Sequence, residues 1–570
     1  MEEAIQDWIN VLGAARVLTA DEAQARYRPN TYGETRRIAA AVFPQTTDQV
    51  AQVVKIARRH RVPIYPISTG RNWGDGTASP ITHDCVIVDL SRMNSVLNFD
   101  DQLDVVTLQP GVTQRDLREF LDRRGLRYLV PTTGAGPSCS IVGNALERGF
   151  GITPHADHFG AVTSIEAVLP DGEVYRSATW LPHAPEADRV FKWGLGPHLD
   201  GLFSQGNFGI VTEMTIRLVP VPDCIEVAHF SFKEDADLEI AVRAIRQVQR
   251  VCGANVGSVN LMNPLRLLAT TIPYPSNRVA PGVAMSDHLL AELMNHHRIG
   301  CWTGVLAIYG HRRVVRATRT TIREILGTVA NRVVFLTENR VRRMKRAIRF
   351  LPRPYREQLR PRIQIMEAAF QVLQGVPSEV LLRLAYWRSG KAPPADKPLD
   401  PARDGCGLLW YAPLVPMLPE RVRAYTQMVK STCREYGLEP VLTFTSAADG
   451  CFVSTVPLLF DQTSADQTER VGRCYEALFN RGKDLGCVPY RGGAPQMRLL
   501  VEPEKPFWRF VRQLKQAVDP DNLIAPGRYC PPPSAGSRSS SSLPATSITI
   551  SNIICSPLCR SAIWAGCTSG

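Results

Sequence analysis

Residues 42–76 read VFPQTTDQVAQVVKIARRHRVPIYPISTGRNWGDG and contain a helix signal, a strand signal and a glycine-rich loop in that order. Regularly spaced valines predict an amphipathic helix that begins at Thr47 or Asp48. The run VPIYPI (62–67) predicts a short strand, and residues 68–80 predict a polar loop. Glycine has no side chain, so such a loop lets backbone N–H groups approach a bound anion closely.

Two further glycine-rich stretches follow, at residues 131–160 and 201–219. Three such loops in one region favour a large phosphate-bearing cofactor held by backbone amides. The Rossmann dinucleotide fingerprint is not matched, because GAGPSC (134–139) ends in Cys139 where that fingerprint needs glycine. A P-loop is not matched either, since no loop ends in Gly-Lys-Ser or Gly-Lys-Thr. Neither a Rossmann NAD site nor a P-loop ATPase is therefore supported.

The remaining pattern predicts a mixed α and β chain with a boundary near residues 220–222. Two buried strands, one helix, one hairpin and two long helices are predicted, at residues 85–90, 104–109, 113–125, 162–177, 236–251 and 466–485. Thr113 and Asp116 have the spacing of a capping box at the start of the first of these helices. The Asp171-Gly172 turn signal joins the two strands of the hairpin.

The composition excludes several classes of protein. The chain has 570 residues, a net charge of +12 and 44% apolar residues, which argues against a disordered, collagen-like or coiled-coil protein. No apolar run reaches the roughly 18 residues of a membrane span. The 14 cysteines form no CxxC pair, which argues against a zinc ribbon or a dense disulfide scaffold. Aromatic residues do not alternate with the basic ones, so we expect no nucleic-acid binding.

Three segments bear on location and partners. The N-terminus MEEAIQDWIN carries two acids directly after Met1 and lacks the basic start and apolar run of a secretory signal, which predicts a cytoplasmic protein. Residues 531–570 contain many serines and no acidic residue, which predicts a disordered tail. Residues 310–363 are dense in arginine, and they form either a solvated helical face or a docking surface for an acidic partner.

Together these segments resemble the vanillyl-alcohol oxidase and p-cresol methylhydroxylase (PCMH) family of flavoproteins. The segments that carry the resemblance are residues 42–76, VIVDLSRMN (86–94), LQPGVT (108–113), GNALERGFGITPHADHFG (143–160), GLFSQGNFGIVT (201–212) and AVDPDNLIAPGRY (517–529). The resemblance extends over residues 36–529, and GNALERGFGITPHADHFG with Tyr490-Arg491 places the chain nearest the branch that oxidises 4-alkylphenols. It implies an α+β, two-domain FAD-linked oxidase fold with a PCMH-type FAD-binding domain and an α/β cap domain. The implied parts are a helical lead-in (1–35), the FAD-binding domain (36–222), the cap (223–490), a C-terminal return to the FAD domain (491–530) and the tail (531–570).

The resemblance also implies which residues hold FAD. The residues expected along the pyrophosphate are Ser68, Thr69, Gly70, Arg71, Asn72, Trp73, Gly74, Gly143 and Asn144. Those expected along the ADP part are Gly206, Asn207, Gly209, Ile210 and Val211. Arg528 is expected near the flavin ring. Tyr411 is either a covalent link to the flavin, as in the cresol branch, or an aromatic core residue of the cap, in which case FAD is bound noncovalently.

Four residues are expected to act on the substrate. By the resemblance, Tyr490 and Arg491 hold a phenol as its phenolate, since a cation and a phenolic donor lower the pKa of the substrate. Asp157 matches an acid of the family that lies by the flavin and assists proton transfer or water attack. The family has Gly-Tyr-Gly where this chain has Gly-Asp75-Gly, and a carboxylate at that place would oppose a neighbouring phenolate. Either the substrate is not a simple phenol, or Tyr490 and Arg491 suffice, or Asp75 turns away.

The expected function is an FAD-dependent oxidoreductase that abstracts hydride from the benzylic carbon of a 4-substituted phenol or related aromatic alcohol. Water then adds to the quinone methide, or oxidation proceeds to the aldehyde. The expected electron acceptor is oxygen or a c-type cytochrome, and homo-oligomers and a periplasmic location occur among such relatives. The alternatives are an FAD enzyme for a non-phenolic alcohol, a flavin-free basic binding protein, and a metal hydrolase built on His155 and His158; we expect no metal site.

Overall fold

The first 220 residues fold into two main sheets flanked by helices in the computed structural model, which describes residues 1–177, 185–448 and 450–532. The strands of this part are β1 Val17–Leu18, β2 Ile38–Val42, β3 Ile64–Ile67, β4 Arg71–Asn72, β5 Gly76–Thr77, β6 Cys85–Asp89, β7 Val96–Asp100, β8 Val105–Leu108, β9 Tyr128–Leu129, β10 Val162–Val168, β11 Val174–Arg176, β12 Ile210–Arg217 and β13 Val219–Pro220. The helices are α1 Glu2–Leu12, α2 Ala20–Tyr27, α3 Thr47–His60, α4 Gln114–Arg123, α5 Ile141–Leu146 and α6 Pro185–Val190.

These sheets position the glycine-rich loops. One sheet has the order β1–β2–β6–β3, in which β2 and β3 run parallel to β6. The other has the order β11–β10–β12–β8–β7 and is antiparallel throughout. The first glycine loop leaves β3, and the third glycine loop enters β12. The strands predicted at 62–67, 85–90 and 104–109 are confirmed as β3, β6 and β8.

Side-chain caps fix where the helices of this part begin. Thr46 accepts a hydrogen bond from the Gln49 N–H and caps α3, which begins at Thr47, one of the two predicted starts. Thr113 and Asp116 form a reciprocal capping box at α4, as predicted. The apolar face of α3 is buried against the first sheet, which holds the helix beside β3.

The second part of the chain contains one large antiparallel sheet. Its strands are β14 Cys224–Phe232, β15 Asn260–Met262, β16 Trp302–Gly310, β17 Arg332–Thr337, β18 Cys406–Tyr411, β19 Leu414–Pro416, β20 Thr443–Ala448 and β21 Cys451–Asp461. The helices are α7 Leu238–Cys252, α8 Pro264–Thr271, α9 Asp287–His297, α10 Arg312–Gly327, α11 Glu338–Ala347, α12 Arg353–Leu373, α13 Pro419–Glu435, α14 Ala465–Asp484, α15 Met497–Leu500 and α16 Pro506–Val518. The sheet order is β17–β14–β16–β15–β20–β21–β18, and β19 also pairs with β21. The helices predicted at 236–251 and 466–485 are confirmed as α7 and α14.

The arginine-rich segment lies on the surface. Its arginines on α11, α12 and the turn between them are exposed: Arg340, Arg342, Arg343, Arg346, Arg349 and Arg353. Arg342 pairs with Glu338 on the same helix, as a solvated face allows. None of the described helices combines the length and apolar character needed to cross a bilayer.

The C-terminal segment returns to the first sheet. Ile524 forms a parallel bridge with Ile64, the Ile64 N–H donates to the Leu523 carbonyl, and the Ala525 N–H donates to the Ile64 carbonyl, each bond 2.8 Å long. Lys515 on α16 supports this return, because its Nζ donates to the Ile524 carbonyl over 3.0 Å. The α+β class is confirmed, the proposed domain boundaries stay predictions, and the tail from residue 533 lies outside the described residues.

Candidate active site

The first glycine loop is a tight hairpin that carries Asp75 into the interior. β4 and β5 pair across it, and Gly74 at its turn has a φ of +84°. A side chain at Gly74 would collide with the indole of Trp410, whose Nε1 donates to the Trp73 carbonyl over 2.9 Å. Glycine is therefore required there both for the backbone conformation and for the close approach of the cap. The turn of the loop therefore contacts Trp410 of β18.

The residues expected to follow the pyrophosphate lie along this hairpin and at α5. Their environments range from exposed (Arg71) through partly buried (Ser68, Thr69, Gly70, Asn72, Gly143) to buried (Trp73, Gly74, Asn144). Gly143 packs so closely that an added Cβ would lie 2.9 Å from Ser68 Oγ. The buried Asn72 Nδ2 and Trp73 Nε1 have no hydrogen-bond partner among the described residues. These orphaned donors suit a ligand that brings acceptors.

A cleft joins the first loop, the third loop and the C-terminal return. Its lining includes the predicted residues Ser68, Gly206, Asn207, Gly209, Ile210, Val211 and Arg528. Asn207 Nδ2 donates to the Ala525 carbonyl over 3.1 Å, and Lys515 Nζ donates to the Asn207 carbonyl over 2.5 Å. The structure therefore brings together residues that the sequence places more than three hundred positions apart.

Arg528 forms one end of the cleft and is buried. It pairs with Glu147, and its Nη1 donates to the Tyr65 hydroxyl over 2.7 Å. Although burial alone would lower the pKa of Arg528, Glu147 and Tyr65 raise it well above its usual range, so the guanidinium stays charged. Sequence reasoning missed Glu147 and Tyr65, because nothing in their local pattern marks them as partners of a residue near the C-terminus.

A second buried pair joins Arg491 to Asp75. Arg491 Nη2 lies 3.3 Å from Asp75 Oδ2, and the side chains are 14% and 2% exposed. Burial raises the pKa of Asp75 to about 6, although Arg491 opposes the shift. Asp75 Oδ1 has no hydrogen-bond partner among the described residues, whereas the Asp75 backbone carbonyl accepts from the Tyr32 hydroxyl over 3.0 Å. Asp75 therefore faces the interior beside Arg491, and the three expectations for it stay predictions.

Tyr490 lies beside this pair. The Arg491 guanidinium sits 5.4 Å from the centre of the Tyr490 ring. The Tyr490 hydroxyl is buried and has no hydrogen-bond partner in the described part of the chain. Burial raises the pKa of Tyr490 despite the opposing charge of Arg491, while Asp75 and Asp157 raise it further. Tyr490 is therefore a neutral donor at neutral pH, and a buried donor of this kind calls for an acceptor.

Asp157 and His158 occupy neighbouring positions with different environments. Asp157 is exposed, and its Oδ1 accepts from the Gly160 N–H over 2.8 Å. His158 is buried, its Nδ1 lies 2.5 Å from Asn144 Nδ2, and burial lowers its pKa to about 4. Within the described ranges no group of three or more His, Cys, Asp or Glu side chains is arranged to hold a metal ion, His155 and His158 included.

Tyr411 is not brought to the site. Adjacent residues of a strand face opposite sides, and on β18 it is Trp410 that faces the glycine loop. Tyr411 is fully buried, packs edge-on against Tyr475 and donates its hydroxyl to the Leu478 carbonyl over 2.9 Å. The covalent-link expectation is thus corrected, and Tyr411 is an aromatic core residue between β18 and α14.

Comparison with known proteins identifies the class. The profile of an FAD-binding domain matches residues 38–178. A 1'-carboxy-chondrochloren decarboxylase from Chondromyces crocatus is 34% identical over 93% of this chain and 97% of its own. The flavoprotein subunit of 4-cresol dehydrogenase (hydroxylating) from Pseudomonas putida is 28% identical over 92% and 95%. The protein is therefore an FAD-dependent oxidoreductase.

The solved structures narrow the class to a family. A p-cresol methylhydroxylase crystallised with bound substrate superposes with a TM-score of 0.81 at 26% identity, over 93% of this chain and 96% of the other. A 4-ethylphenol oxidase from Gulosibacter chungangensis shares the fold with a TM-score of 0.82 at 22% identity, over 94% and 97%. The chain belongs to the vanillyl-alcohol oxidase and p-cresol methylhydroxylase family of flavoproteins. Its two-domain FAD-linked oxidase fold and its FAD cofactor follow from that membership.

Proposed function

We propose that this enzyme oxidises a 4-substituted phenol or a related aromatic alcohol by removing hydride from the benzylic carbon. The observation that carries the proposal is the buried, unpartnered Tyr490 hydroxyl beside the Arg491 guanidinium. A donor and a cation at one place suit an oxygen that becomes negative during the reaction. FAD supplies the hydride acceptor when bound.

Cofactor binding is assigned in the same proposal to the predicted residues that line the cleft and the first glycine loop. The close approach of Gly143 to Ser68 and the orphaned donors of Asn72 and Trp73 support it. We assign noncovalent FAD, because the Tyr411 hydroxyl is already bonded inside the core.

Asp75 takes the proton of the substrate hydroxyl at Oδ1. A permanently ionised Asp75 would repel a phenolate, but a proton that moves from the phenol to Asp75 leaves the total charge of the site unchanged. Arg491 is then released from a carboxylate and pairs with the phenolate instead. The buried and unpartnered Oδ1 and the raised pKa of Asp75 support this exchange.

Asp157 acts after hydride removal. Its carboxylate is held by the Gly160 N–H and remains accessible to water. In the proposal it accepts a proton from the water that adds to the quinone methide. The electron acceptor is oxygen or a c-type cytochrome. Reducing the enzyme with substrate under anaerobic conditions and then adding each acceptor distinguishes the two, because only the acceptor used should reoxidise the flavin rapidly.

A second candidate is the same oxidation followed by loss of carbon dioxide. The observation that favours it is the 34% identity to a protein named as a decarboxylase, over 97% of that protein's length. After hydride and phenolic proton have left, the bond to a carboxylate on the neighbouring carbon breaks and carbon dioxide departs. The released electron pair forms an alkene and restores the aromatic phenolate, so the reaction remains a two-electron oxidation.

An anaerobic titration of the holoenzyme tests the primary proposal. Addition of a 4-alkylphenol should bleach the flavin absorbance, and the Tyr490→Phe variant should bleach more slowly. Benzyl alcohols without a para hydroxyl serve as the control for the non-phenolic alternative. Bleaching by those alcohols but not by the phenols would refute the phenolic proposal, and release of carbon dioxide from a carboxylated phenol would select the second candidate.

A further inference from the structure

Arg266 lies on a short helix that shares an apolar cluster with the first glycine loop. Asn263 caps α8, with its Oδ1 accepting from the Arg266 N–H over 3.1 Å. Leu265 and Leu268 of the same helix belong to one buried cluster with Trp73, two residues before Asp75. The helix that carries Arg266 therefore packs into the same apolar cluster as the first glycine loop.

The Arg266 side chain is partly buried, and part of its guanidinium lacks a partner in the described part of the chain. Its Nη1 is fully buried without a hydrogen bond, and no described carboxylate forms an ion pair with it. Burial lowers the pKa of Arg266 to about 10, and no opposing carboxylate offsets the shift. An arginine remains protonated even then, so a cation is kept partly desolvated with no described carboxylate to neutralise it.

Three other arginines of low exposure show what a paired guanidinium looks like. Arg388 lies 3.3 Å from Glu439, with the two side chains 9% and 2% exposed. Arg491 pairs with Asp75, and Arg528 pairs with Glu147. Arg266 differs from these three in lacking the carboxylate, although a buried charge is destabilising unless it is paired.

We infer that Arg266 binds a carboxylate of the substrate, so that the enzyme acts on an aromatic carboxylic acid. The inference rests on the proposed function, because it places the carboxylate at a distance from the phenol end held by Tyr490. A guanidinium presents two parallel N–H donors to a planar carboxylate, and one monoanion neutralises it. The apolar side chains of Leu382 and Trp387 in the same cluster suit the hydrocarbon part of such an acid.

Binding to the holoenzyme tests the inference with two probes that differ in one group. Wild type should bind 3-(4-hydroxyphenyl)propanoate at least about tenfold more tightly than 4-propylphenol, as expected for a charge-assisted pair. Arg266→Met should lose that advantage while binding 4-propylphenol as wild type does. Equal affinities in wild type, or an equal loss for both probes in the variant, would overturn the inference and leave the phenol oxidation standing.

A second measurement separates the inference from the proposed function. Benzoate should raise the melting temperature of wild type and not that of Arg266→Met, even if neither phenol binds. Arg266→Met should also be at least as stable as wild type without ligand, because an unpaired buried charge is removed. The matched control Arg388→Met should melt lower, since it leaves Glu439 buried without its partner. A benzoate shift that is absent, or Arg266→Met as unstable as the control, would refute a carboxylate site.

Discussion

The Asp75→Asn substitution tests the proposed proton acceptor through stability. The pKa of Asp75 is raised from 3.8 to about 6 by burial, so the folded protein binds this proton more tightly than the unfolded chain does. Asp75 should therefore contribute about 3 kcal/mol to the free energy of unfolding at low pH, and this contribution should be lost as the pH rises from about 4 to about 6. Above that range its contribution is constant. Denaturant titrations across this pH range measure the free energy of unfolding of wild type and of Asp75→Asn. The value for wild type minus that for the variant should fall by about 3 kcal/mol as the pH rises from about 4 to about 6.

The same substitution should change the pH dependence of catalysis. In wild type, kcat/KM for a 4-alkylphenol should rise with pH through an apparent pKa near 6, because only the ionised Asp75 can accept the phenolic proton. Asp75→Asn should lose this limb and about a hundredfold or more in kcat/KM, the usual contribution of a general base. His158 does not titrate in this range, since burial lowers its pKa to about 4.

The control for both measurements is Asp157→Asn. Asp157 is exposed and its carboxylate accepts from the Gly160 N–H, so its loss should slow water addition. The rise of kcat/KM near pH 6 should remain in Asp157→Asn, because it reports the buried carboxyl of Asp75. Rapid anaerobic mixing of each enzyme with the 4-alkylphenol, with the flavin absorbance followed over time, gives the rates of flavin reduction. A limb that persists in Asp75→Asn would refute the assignment of Asp75 as the acceptor.

Three other substitutions probe separate parts of the structure. Tyr490→Phe removes the unpartnered hydroxyl and should lower kcat/KM for phenols about tenfold to a hundredfold without lowering the melting temperature, as kinetics and thermal melts of one preparation would show. Tyr411→Phe should keep its FAD, and acid precipitation should release FAD from wild type and variant alike; cofactor that stays with the precipitated wild type would contradict a noncovalent site. Lys515→Met leaves Asp519 buried without its cation and should cost about 3–5 kcal/mol in denaturant unfolding, whereas a loss under 1 kcal/mol would show that the pair is dispensable.

Local signals in the sequence were sufficient for much of the fold. The capping box of Thr113 and Asp116 and the turn at Asp171-Gly172 each depend on neighbours a few residues apart, and both are present in the structure. The start of α3 was predicted at Thr47 or Asp48, and the helix begins at Thr47, because the backbone of Thr46 is extended and its side chain caps the first turn.

The electrostatics of the site could not be predicted in this way. The sequence marks Asp75 as a departure from the family and Arg491 as a cation, but their pairing depends on how the cap is placed over the first loop. Tyr411 shows the same limit, since strand alternation separates it from Trp410 without saying which of the two faces the cofactor domain. Tertiary packing determines both the pairing of Arg491 with Asp75 and the orientation of Tyr411.

The parallel bridge between Ile64 and Ile524 has a consequence for biosynthesis. A ribosome makes β3 several hundred residues before the segment that completes its edge. Until that segment emerges, the Ile64 N–H and carbonyl lack their partners, and one wall of the cleft is missing. The nascent chain must therefore reach the segment around Ile524 before the cleft exists, and until then the open edge of the sheet is exposed to incorrect pairing.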